Sequence, residues 1–386
     1  MKVQTDQRPA ATVPEGIVRS RPQYATLQGL RGIAAFWVVL FHAKTLGALR
    51  GADLSAFETV SRFLFDYGRG GVAIFFVLSG FVIAHSVADS DVNLRFVGRF
   101  ALRRSIRLDP PYWISIALAL LFIAYRAAKA GADPGIEWGS VLAHTFYLQE
   151  ILGTKEIQVV YWTLTYEIQF YLVYILAVWL VFIAKTRGGR YKLLAPTLAV
   201  ALIAIAFIGA LQPEGWAPKG VFVNYWYAFA AGALAYYGGC RKSDVALCLA
   251  ILLAAAMLSS AGETREVFNS PAAITCIGLA ILGRVGRLTT YLSGSLFQKL
   301  GSISYSLYLL HVPALVIGIS VGRRLFPVNA VGAIGTFALA IASALLLSSL
   351  FWWAVERPAH LFAKRLGEGK AARDRVFLAK GSELKL

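Results

Sequence analysis

Long stretches without charged residues alternate with short polar connections along most of this chain. An apolar helix needs roughly 20 residues to cross about 30 Å of hydrocarbon, and it satisfies its backbone groups internally. Eight runs carry no charge: Gly70–Ala88, Pro110–Tyr125, Leu193–Pro213, Gly220–Cys240, Val245–Gly262, Val267–Gly283, Leu300–Gly322 and Leu325–Val355. Two more, Leu27–Leu49 and Ile157–Ala184, are interrupted by charges. The pattern predicts an all-α, polytopic transmembrane helical bundle of about ten spanning helices.

The basic residues between these runs indicate one orientation. The chain has 38 Lys and Arg against 21 Asp and Glu, and most of the basic residues fall in alternate connections. Because cytoplasmic connections are enriched in Lys and Arg, both termini are predicted to be cytoplasmic. The expected organisation is a cytoplasmic N-terminal segment (1–26), a transmembrane domain (27–358) and a cytoplasmic tail (359–386). A cleaved signal peptide is the alternative for the first run, but Arg31 and His42 would be unusual in a discarded leader.

The composition excludes several classes of protein. Of 386 residues, 58% are hydrophobic and only 15% are charged, whereas soluble domains average about 25% charged residues. A net charge of +17 would suggest nucleic acid in a soluble protein. Here the basic residues lie between apolar runs, where they set topology and contact anionic lipids, so no nucleic-acid partner is expected. Three scattered cysteines show neither a disulfide pattern nor metal-ligand spacing, and no metal is predicted.

Arg31 and His42 are the first candidate pair, because ionisable residues within membrane helices are costly and by default functional. They lie 11 residues apart, which in an α-helix returns to within about 20° of the same direction and separates them by ~16 Å along the axis. One helix is therefore expected to present both side chains to one cavity. The alternative is an arginine that reaches the interface and a histidine hydrogen-bonded within the bundle.

Glu167 interrupts the other charged run and is expected two to three turns below the outer surface, at a depth similar to that of His42. A carboxylate that orients an imidazole is a common requirement of general-base catalysis on a hydroxyl. We therefore predict that Glu167 orients His42 or stabilises its cationic form. The alternative is a structural glutamate that accepts hydrogen bonds from Tyr or Trp donors.

Five arginines and no lysine occupy the predicted connection before Pro110. Guanidinium groups bind phosphates with two parallel hydrogen bonds, so the cluster indicates a phosphate-bearing cytosolic ligand, although topology and lipid contact would also need some of these charges. The members are Arg95, Arg99, Arg103, Arg104 and Arg107.

A second polar face lies in the run that begins near Leu300. Ser304, Tyr308 and His311 share one side of a helix at this spacing, and they either line a cavity or bond helix to helix. Ser79 lies in the second run without a Gly-x-Ser-x-Gly pattern, so a serine-hydrolase elbow is unsupported. The sequence also lacks a P-loop and a dinucleotide-binding fingerprint.

Six segments, in order, resemble the characteristic motifs of the acyltransferase-3 family of integral membrane O-acyltransferases. The first is similar to an Arg-x10-His signature and the third to an Arg-x-x-Arg motif. The segments are Leu27–His42, Gly71–Phe81, Arg104–Arg107, Trp162–Leu172, Ser304–Pro313 and Glu356–Pro358.

The resemblance implies O-acylation, usually acetylation, of an envelope or exported carbohydrate, with acyl-coenzyme A as the cytoplasmic donor. By matching position, Arg31 and His42 would be catalytic, and Arg104 and Arg107 would help to hold the coenzyme. Some relatives carry an extracytoplasmic hydrolase-like domain that completes the transfer to the acceptor. Because no such domain is recognised in this sequence, the chain is expected to act alone or with a separate partner. Other characteristic positions are Glu167, Tyr308, His311 and Glu356.

The resulting hypothesis is an inner-membrane, multi-pass enzyme that moves an acyl group from acetyl-coenzyme A, or a longer acyl-coenzyme A, to a carbohydrate or glycoconjugate hydroxyl. His42 acts as base or transient acyl carrier with Arg31 and Glu167. Arg103, Arg104 and Arg107 bind the coenzyme. The further cavity candidates are Ser79, Tyr308, His311 and Glu356.

A proton-coupled transporter or flippase is the rival class. In that hypothesis His42, Glu167 and His311 form a proton relay through the membrane. A purely structural membrane scaffold is the third option, and it gives no reason for ionisable residues inside apolar helices.

Overall fold

The computed structural model describes residues 24–53, 55–212, 215–260 and 262–365. Most of the predicted N-terminal segment (1–26) and of the predicted tail (359–386) therefore lies outside the described residues. Throughout the described ranges the regular structure is helical, without strands. The all-α prediction is confirmed.

Fourteen α-helices lie within the described part of residues 24–351, and residues 357–365 are also helical. The fourteen helices are α1 (Ala25–Thr45), α2 (Glu58–Ser61), α3 (Gly71–Val87), α4 (Leu94–Ala130), α5 (Trp138–Thr145), α6 (Gln149–Leu152), α7 (Trp162–Arg187), α8 (Leu194–Leu211), α9 (Trp226–Gly239), α10 (Asp244–Ser259), α11 (Glu263–Arg284), α12 (Ser295–Ser302), α13 (Ser304–Leu325) and α14 (Ala330–Phe351). A π-helical turn, Trp352–Glu356, continues α14.

Eight helical segments among the described residues are long and apolar enough to cross a membrane. This confirms a polytopic helical membrane protein. The predicted runs Gly220–Cys240 and Val245–Gly262 correspond to α9 and α10, which have 14 and 16 residues. Both are shorter than the roughly 20 residues of a full span, so the number of about ten spans stays a prediction.

Helix α4 differs from the prediction, because the arginine cluster does not lie in a connection. The side chain of Asn93 accepts a hydrogen bond from the Phe96 N–H and starts the helix ahead of the arginines, as an N-cap residue does. Gly131 ends it in the left-handed conformation with φ 64°. The arginines thus occupy the first half of a 37-residue helix, and residues three apart share one face.

Helix α1 lies inside the bundle, where two close glycine contacts hold it. A Cβ atom on Gly32 would lie 2.6 Å from the backbone nitrogen of Gly301 in α12, and one on Gly71 of α3 would lie 2.4 Å from the Ala34 carbonyl oxygen. These distances require backbone-to-backbone packing on two sides of α1. The first predicted run is therefore an integral part of the fold, and it carries Arg31 and His42 into the interior.

Helices α3 and α9 cross with their backbones in contact. A Cβ atom on Gly80 would lie 1.9 Å from the Phe229 carbonyl oxygen, and one on Gly232 would lie 1.8 Å from the Val77 carbonyl oxygen. Each helix contributes one glycine to a reciprocal contact, which is the way that small residues let membrane helices approach each other.

We expect Gly80→Ala and Gly232→Ala each to destabilise the protein by about 3 kcal/mol, the upper part of the range for overpacked cores, because a rigid carbonyl blocks the added methyl. The matched control is Gly278→Ala in α11, where no atom outside that helix's own local backbone lies within 4 Å of the added Cβ. Thermal unfolding in detergent measures the difference. Equal midpoints for Gly80→Ala and Gly278→Ala would contradict the close crossing.

Candidate functional site

Helices α1, α3, α4, α7 and α13 surround a cavity of about 80 Å³ near the start of α1. We call it the arginine cavity. Its polar lining is Arg31, Ser79, Arg104, Arg107, Thr163, Glu167 and Tyr171, together with hydroxyls of α13. Three guanidinium groups against one lining carboxylate give this cavity a net positive charge.

Two arginines of α4 reach the arginine cavity and a third does not. Arg104 and Arg107 lie one turn apart on one face, and both line the cavity. The guanidinium carbon of Arg104 lies 4.1 Å from the centroid of the Tyr171 ring, in the range of a cation–π contact. Arg103 is exposed and is not among the lining residues, because adjacent positions on a helix point about 100° apart.

Glu356 lies behind the arginines rather than in the cavity lining. It is 7% exposed, and its Oε2 atom accepts hydrogen bonds from the backbone N–H of Ser306 (3.0 Å) and from the Ser306 hydroxyl (2.5 Å). Arg31 and Arg107 lie close enough to interact electrostatically with this carboxylate. The hydrogen bonds of Glu356 join the end of α14 to the first turn of α13.

Glu167 lies in the arginine cavity and is held by hydroxyl donors. Its Oε1 atom accepts a hydrogen bond from the Ser79 hydroxyl at 2.9 Å and a short one from the Tyr171 hydroxyl. The expected contact between Glu167 and His42 is therefore replaced by contacts with Ser79 and Tyr171. The sequence placed Glu167 and His42 at a similar depth in the membrane. Depth alone could not show that the two side chains line different cavities.

A second, larger cavity of about 610 Å³ lies near the end of α1, and His42 lines it. We call it the histidine cavity. Its walls carry a cluster of aromatic rings from three different parts of the chain, namely Trp162, Tyr166, Tyr225, Tyr227 and Phe268. Flat apolar walls with a few polar groups are typical of binding sites for small organic ligands.

Charged groups at the histidine cavity come mainly from the connections between helices. Lys219 Nζ lies 3.3 Å from Glu150 Oε2 and 3.9 Å from Glu156 Oε1. The Glu150 side chain is 3% exposed. Burial raises the pKa of Glu156 above its ordinary value, and the neighbouring charge of Glu150 raises it further, whereas Lys219 opposes this shift. The lining of the histidine cavity thus combines two carboxylates with a lysine.

Arg265 is a further charged residue of the histidine cavity, and it is 8% exposed. Its two terminal nitrogens donate to the carbonyl oxygens of Ala210 (2.8 Å) and Gly209 (3.1 Å), at the end of α8. A cation at this position stabilises the negative end of the helix dipole. Its Nε atom is buried and has no hydrogen-bond partner within the described residues.

His42 has a histidine as its side-chain partner. The Nε2 atom of His311 lies 3.2 Å from Nδ1 of His42, and the two ring centroids are 4.9 Å apart. Nδ1 of His42 also lies 3.0 Å from the Val38 carbonyl oxygen. The structure therefore brings together two of the predicted site residues, on α1 and α13, without Glu167.

The arginine cavity and the histidine cavity share two lining residues, Val72 and Tyr308. The Tyr308 hydroxyl donates to the Val160 carbonyl oxygen at 2.6 Å and lies 2.6 Å from the Thr163 hydroxyl. Arg31 and His42 thus face adjoining cavities, and the single cavity expected from their spacing is divided by the ring of Tyr308 and the side chain of Val72.

Several site residues escaped the sequence analysis. Tyr171 lies one turn after Glu167, and the i, i+4 spacing of a hydroxyl donor and a carboxylate was a usable signal. The aromatic wall and the Glu150–Lys219 pair had no such signal, because they are assembled from helices and connections far apart in sequence. Across the described residues, no group of three or more His, Cys, Asp or Glu side chains is arranged to hold a metal ion.

The fold and the two adjoining cavities define an integral membrane protein with a polar site inside its helical bundle. Residues 24–353 match the family model Acyl_transf_3, described as an acyltransferase domain, and this range includes every residue that lines either cavity. The chain belongs to this acyltransferase family, as the sequence motifs predicted. It is similar to acyltransferase MdmB of Streptomyces mycarofaciens, with 26% identity over 86% of this chain and 90% of the relative. No solved structure matches.

Proposed function

We propose that this membrane acyltransferase moves an acyl group, most simply acetyl, from acyl-coenzyme A to a hydroxyl of an envelope or exported carbohydrate or glycoconjugate. The observation that carries the proposal is the pair of adjoining cavities, one lined by arginines and one by His42, with only Val72 and Tyr308 in common. A donor from one side and an acceptor from the other would meet at this boundary.

The arginine cavity suits the donor. Guanidinium groups bind phosphates with charge-assisted hydrogen bonds, and a volume of about 80 Å³ is too small for a nucleotide. The nucleotide would therefore stay outside the cavity, with its phosphates bound by Arg104 and Arg107 of the cavity wall. The ~16 Å between Arg31 and His42 is comparable with the length of an extended pantetheine arm.

The histidine cavity suits the acceptor. Its aromatic rings offer flat faces for the C–H surfaces of a sugar, and Asn224, Glu150 and Arg265 offer polar groups for hydroxyls. Binding energy of this kind orients the acceptor hydroxyl against the thioester, which can supply about 7–11 kcal/mol of the activation barrier.

The reaction would proceed at His42. As a base, its imidazole takes the proton of the acceptor hydroxyl while that oxygen forms a bond to the thioester carbonyl carbon. The carbon–sulfur bond then breaks, and the imidazolium returns the proton to the departing thiolate, so that the products are an ester and free coenzyme A. In the covalent variant, the unprotonated imidazole nitrogen attacks the thioester carbonyl carbon, and the carbon–sulfur bond breaks to release the coenzyme A thiolate. The acceptor oxygen then attacks the acyl group on the imidazole, the carbon–nitrogen bond breaks, and the proton of the acceptor hydroxyl passes to the thiolate, so that the products are again an ester and free coenzyme A.

The direct test is the release of free thiol from acetyl-coenzyme A by the purified protein in lipid nanodiscs, measured with and without a pool of cell-envelope glycans. We expect release that depends on the glycans and equals the amount of ester formed. Comparison of O-acyl groups in envelope glycans from cells with and without the protein identifies the acceptor. Absence of thiol release with every glycan and acyl donor, together with proton-coupled solute movement, would instead support the transporter.

Tyr308 must move if the thioester is to reach His42, because its ring stands between the cavities. We expect Tyr308→Phe, which loses the bonds to Val160 and Thr163, to free the ring. Acceptor-independent hydrolysis of acetyl-coenzyme A should then rise several-fold, for a loss of about 1 kcal/mol in stability. The control is Tyr305→Phe, which loses a bond to the Leu108 carbonyl but lines only the arginine cavity. Equal rates of acetyl-coenzyme A hydrolysis in Tyr308→Phe and Tyr305→Phe would contradict the role of Tyr308 as a barrier between the two cavities.

A further inference from the structure

Two histidines from different helices face each other in the bundle interior. His311 is completely buried, and its Nδ1 atom lies 2.9 Å from the carbonyl oxygens of both Leu307 and Tyr308. Carbonyl oxygens only accept hydrogen bonds, so Nδ1 of His311 must carry a proton. In the neutral ring the other nitrogen, Nε2, then has a free lone pair.

That lone pair determines the proton position on the neighbouring ring. Nε2 of His311 lies 3.2 Å from Nδ1 of His42, and the second partner of the same nitrogen is the Val38 carbonyl oxygen at 3.0 Å. Both partners accept, so Nδ1 of His42 is the donor. The reverse direction would need a second proton on His311, and that charge would lie in a fully buried ring without a carboxylate partner. Nε2 of His42 is consequently left unprotonated on a ring that lines the histidine cavity.

We infer that His311 is a positioning residue that selects the Nδ1–H tautomer of His42 and thereby keeps Nε2 available for acyl transfer. The inference rests on the proposed function, because it assigns a role within that reaction. The two carbonyls of α13 fix the proton of His311, and His311 in turn fixes the proton and the ring orientation of His42. When Nε2 of His42 takes a proton, the hydrogen bond from its Nδ1 to His311 becomes charge-assisted and stronger.

His311 therefore acts on His42 as the carboxylate of a catalytic triad acts on its histidine, but the hydrogen-bond acceptor is a neutral imidazole nitrogen instead of a carboxylate. Glu167 does not take that place, because its Oε1 atom is bonded to Ser79 and Tyr171. The Val38 carbonyl would still hold the Nδ1 proton if His311 were replaced. Loss of His311 is therefore expected to lower kcat by about tenfold to a hundredfold, less than loss of the base itself.

Two substitutions separate positioning from packing. In His311→Gln, the side-chain oxygen can occupy the place of Nε2 and accept from His42. In His311→Asn, the amide can donate to the α13 carbonyls in the place of Nδ1 but cannot reach His42. We expect His311→Gln to retain most of kcat, and His311→Asn to lose about tenfold to a hundredfold with KM for acetyl-coenzyme A unchanged.

A packing role predicts the opposite order or no difference. The inference is overturned if His311→Asn is as active as His311→Gln, whether both are active or both are impaired. If His42→Gln itself transfers acyl groups normally, the proposed function fails instead, so the two failures are distinguishable.

A measurement on the unaltered protein keeps the inference testable if these variants do not fold. Nitrogen-15 NMR of histidine-labelled protein in lipid bilayers reports which ring nitrogen carries hydrogen, and His42→Gln removes one of the five histidine signals and so assigns it. We expect His42 to show a protonated Nδ1 and an unprotonated Nε2. A protonated Nε2 in the resting protein would overturn the inference.

Discussion

His42→Ala and His42→Gln are expected to lower kcat for acyl transfer by about a thousandfold or more, within the range for loss of a general acid–base group. The effect should be this large because His42 is the histidine that lines the cavity opposite the arginines. KM and binding of acetyl-coenzyme A should change little, since the arginine cavity does not include His42. Such a loss at constant KM is the kinetic signature of an interaction made in the transition state.

The control for this prediction is His85→Gln. His85 contacts the rings of Tyr24 and Tyr236 and lines neither cavity, so this variant should transfer acyl groups at nearly the normal rate. Steady-state kinetics on purified protein, with equal amounts of folded material, compare the variants. Normal turnover by His42→Ala would remove His42 from the mechanism.

Arg104→Gln with Arg107→Gln is expected to raise KM for acetyl-coenzyme A by about a hundredfold or more, with a much smaller change in kcat. A hydrogen bond to a charged group contributes about 1.5–3 kcal/mol, and each factor of ten in affinity corresponds to 1.4 kcal/mol. Arg31→Gln should also raise KM, because Arg31 lines the arginine cavity with this pair, and a loss of kcat in addition would support the catalytic role that the Arg-x10-His motif implies. The exposed Arg103 should have a smaller effect that weakens further with added salt.

Two further variants make this prediction specific. Arg126→Gln removes a charge from the other end of α4, where the guanidinium lies over the Phe122 ring, and it should leave KM unchanged. Arg104→Lys with Arg107→Lys keeps the charge but loses the bidentate geometry, so an intermediate KM is expected. If the Gln pair lowers kcat alone and leaves KM unchanged, the arginine cavity does not bind the donor.

Helix periodicity predicted which side chains share a face, but not which helix stands opposite. The sequence analysis placed Arg103, Arg104 and Arg107 together in a connection, whereas the structure places them in α4, where Arg104 and Arg107 share one face and Arg103 points away. Glu167 and His42 were paired by depth alone. A membrane helix has several neighbours at one depth, and only the packing showed Ser79 and Tyr171 beside Glu167 and His311 beside His42.

Small residues and connections were the least predictable features. Gly80 and Gly232 form a backbone-to-backbone crossing, whereas Gly278 has no neighbouring helix within reach of an added Cβ, and nothing in the local sequence distinguishes these cases. The wall of the histidine cavity draws on connections before α7 and before α9. Its assembly depends on contacts between segments roughly 70 residues apart, which no local pattern encodes.

In the proposed mechanism, donor and acceptor enter opposite cavities and meet at Tyr308. Proteoliposomes with a fixed protein orientation test it, because acetyl-coenzyme A does not cross the bilayer. We expect ester formation when acetyl-coenzyme A is present only on the side near Arg31 and the glycan acceptor only on the side near His42, with free thiol appearing on the donor side. Transfer that occurs only with both substrates on one side, or equally in the reversed arrangement, would contradict it.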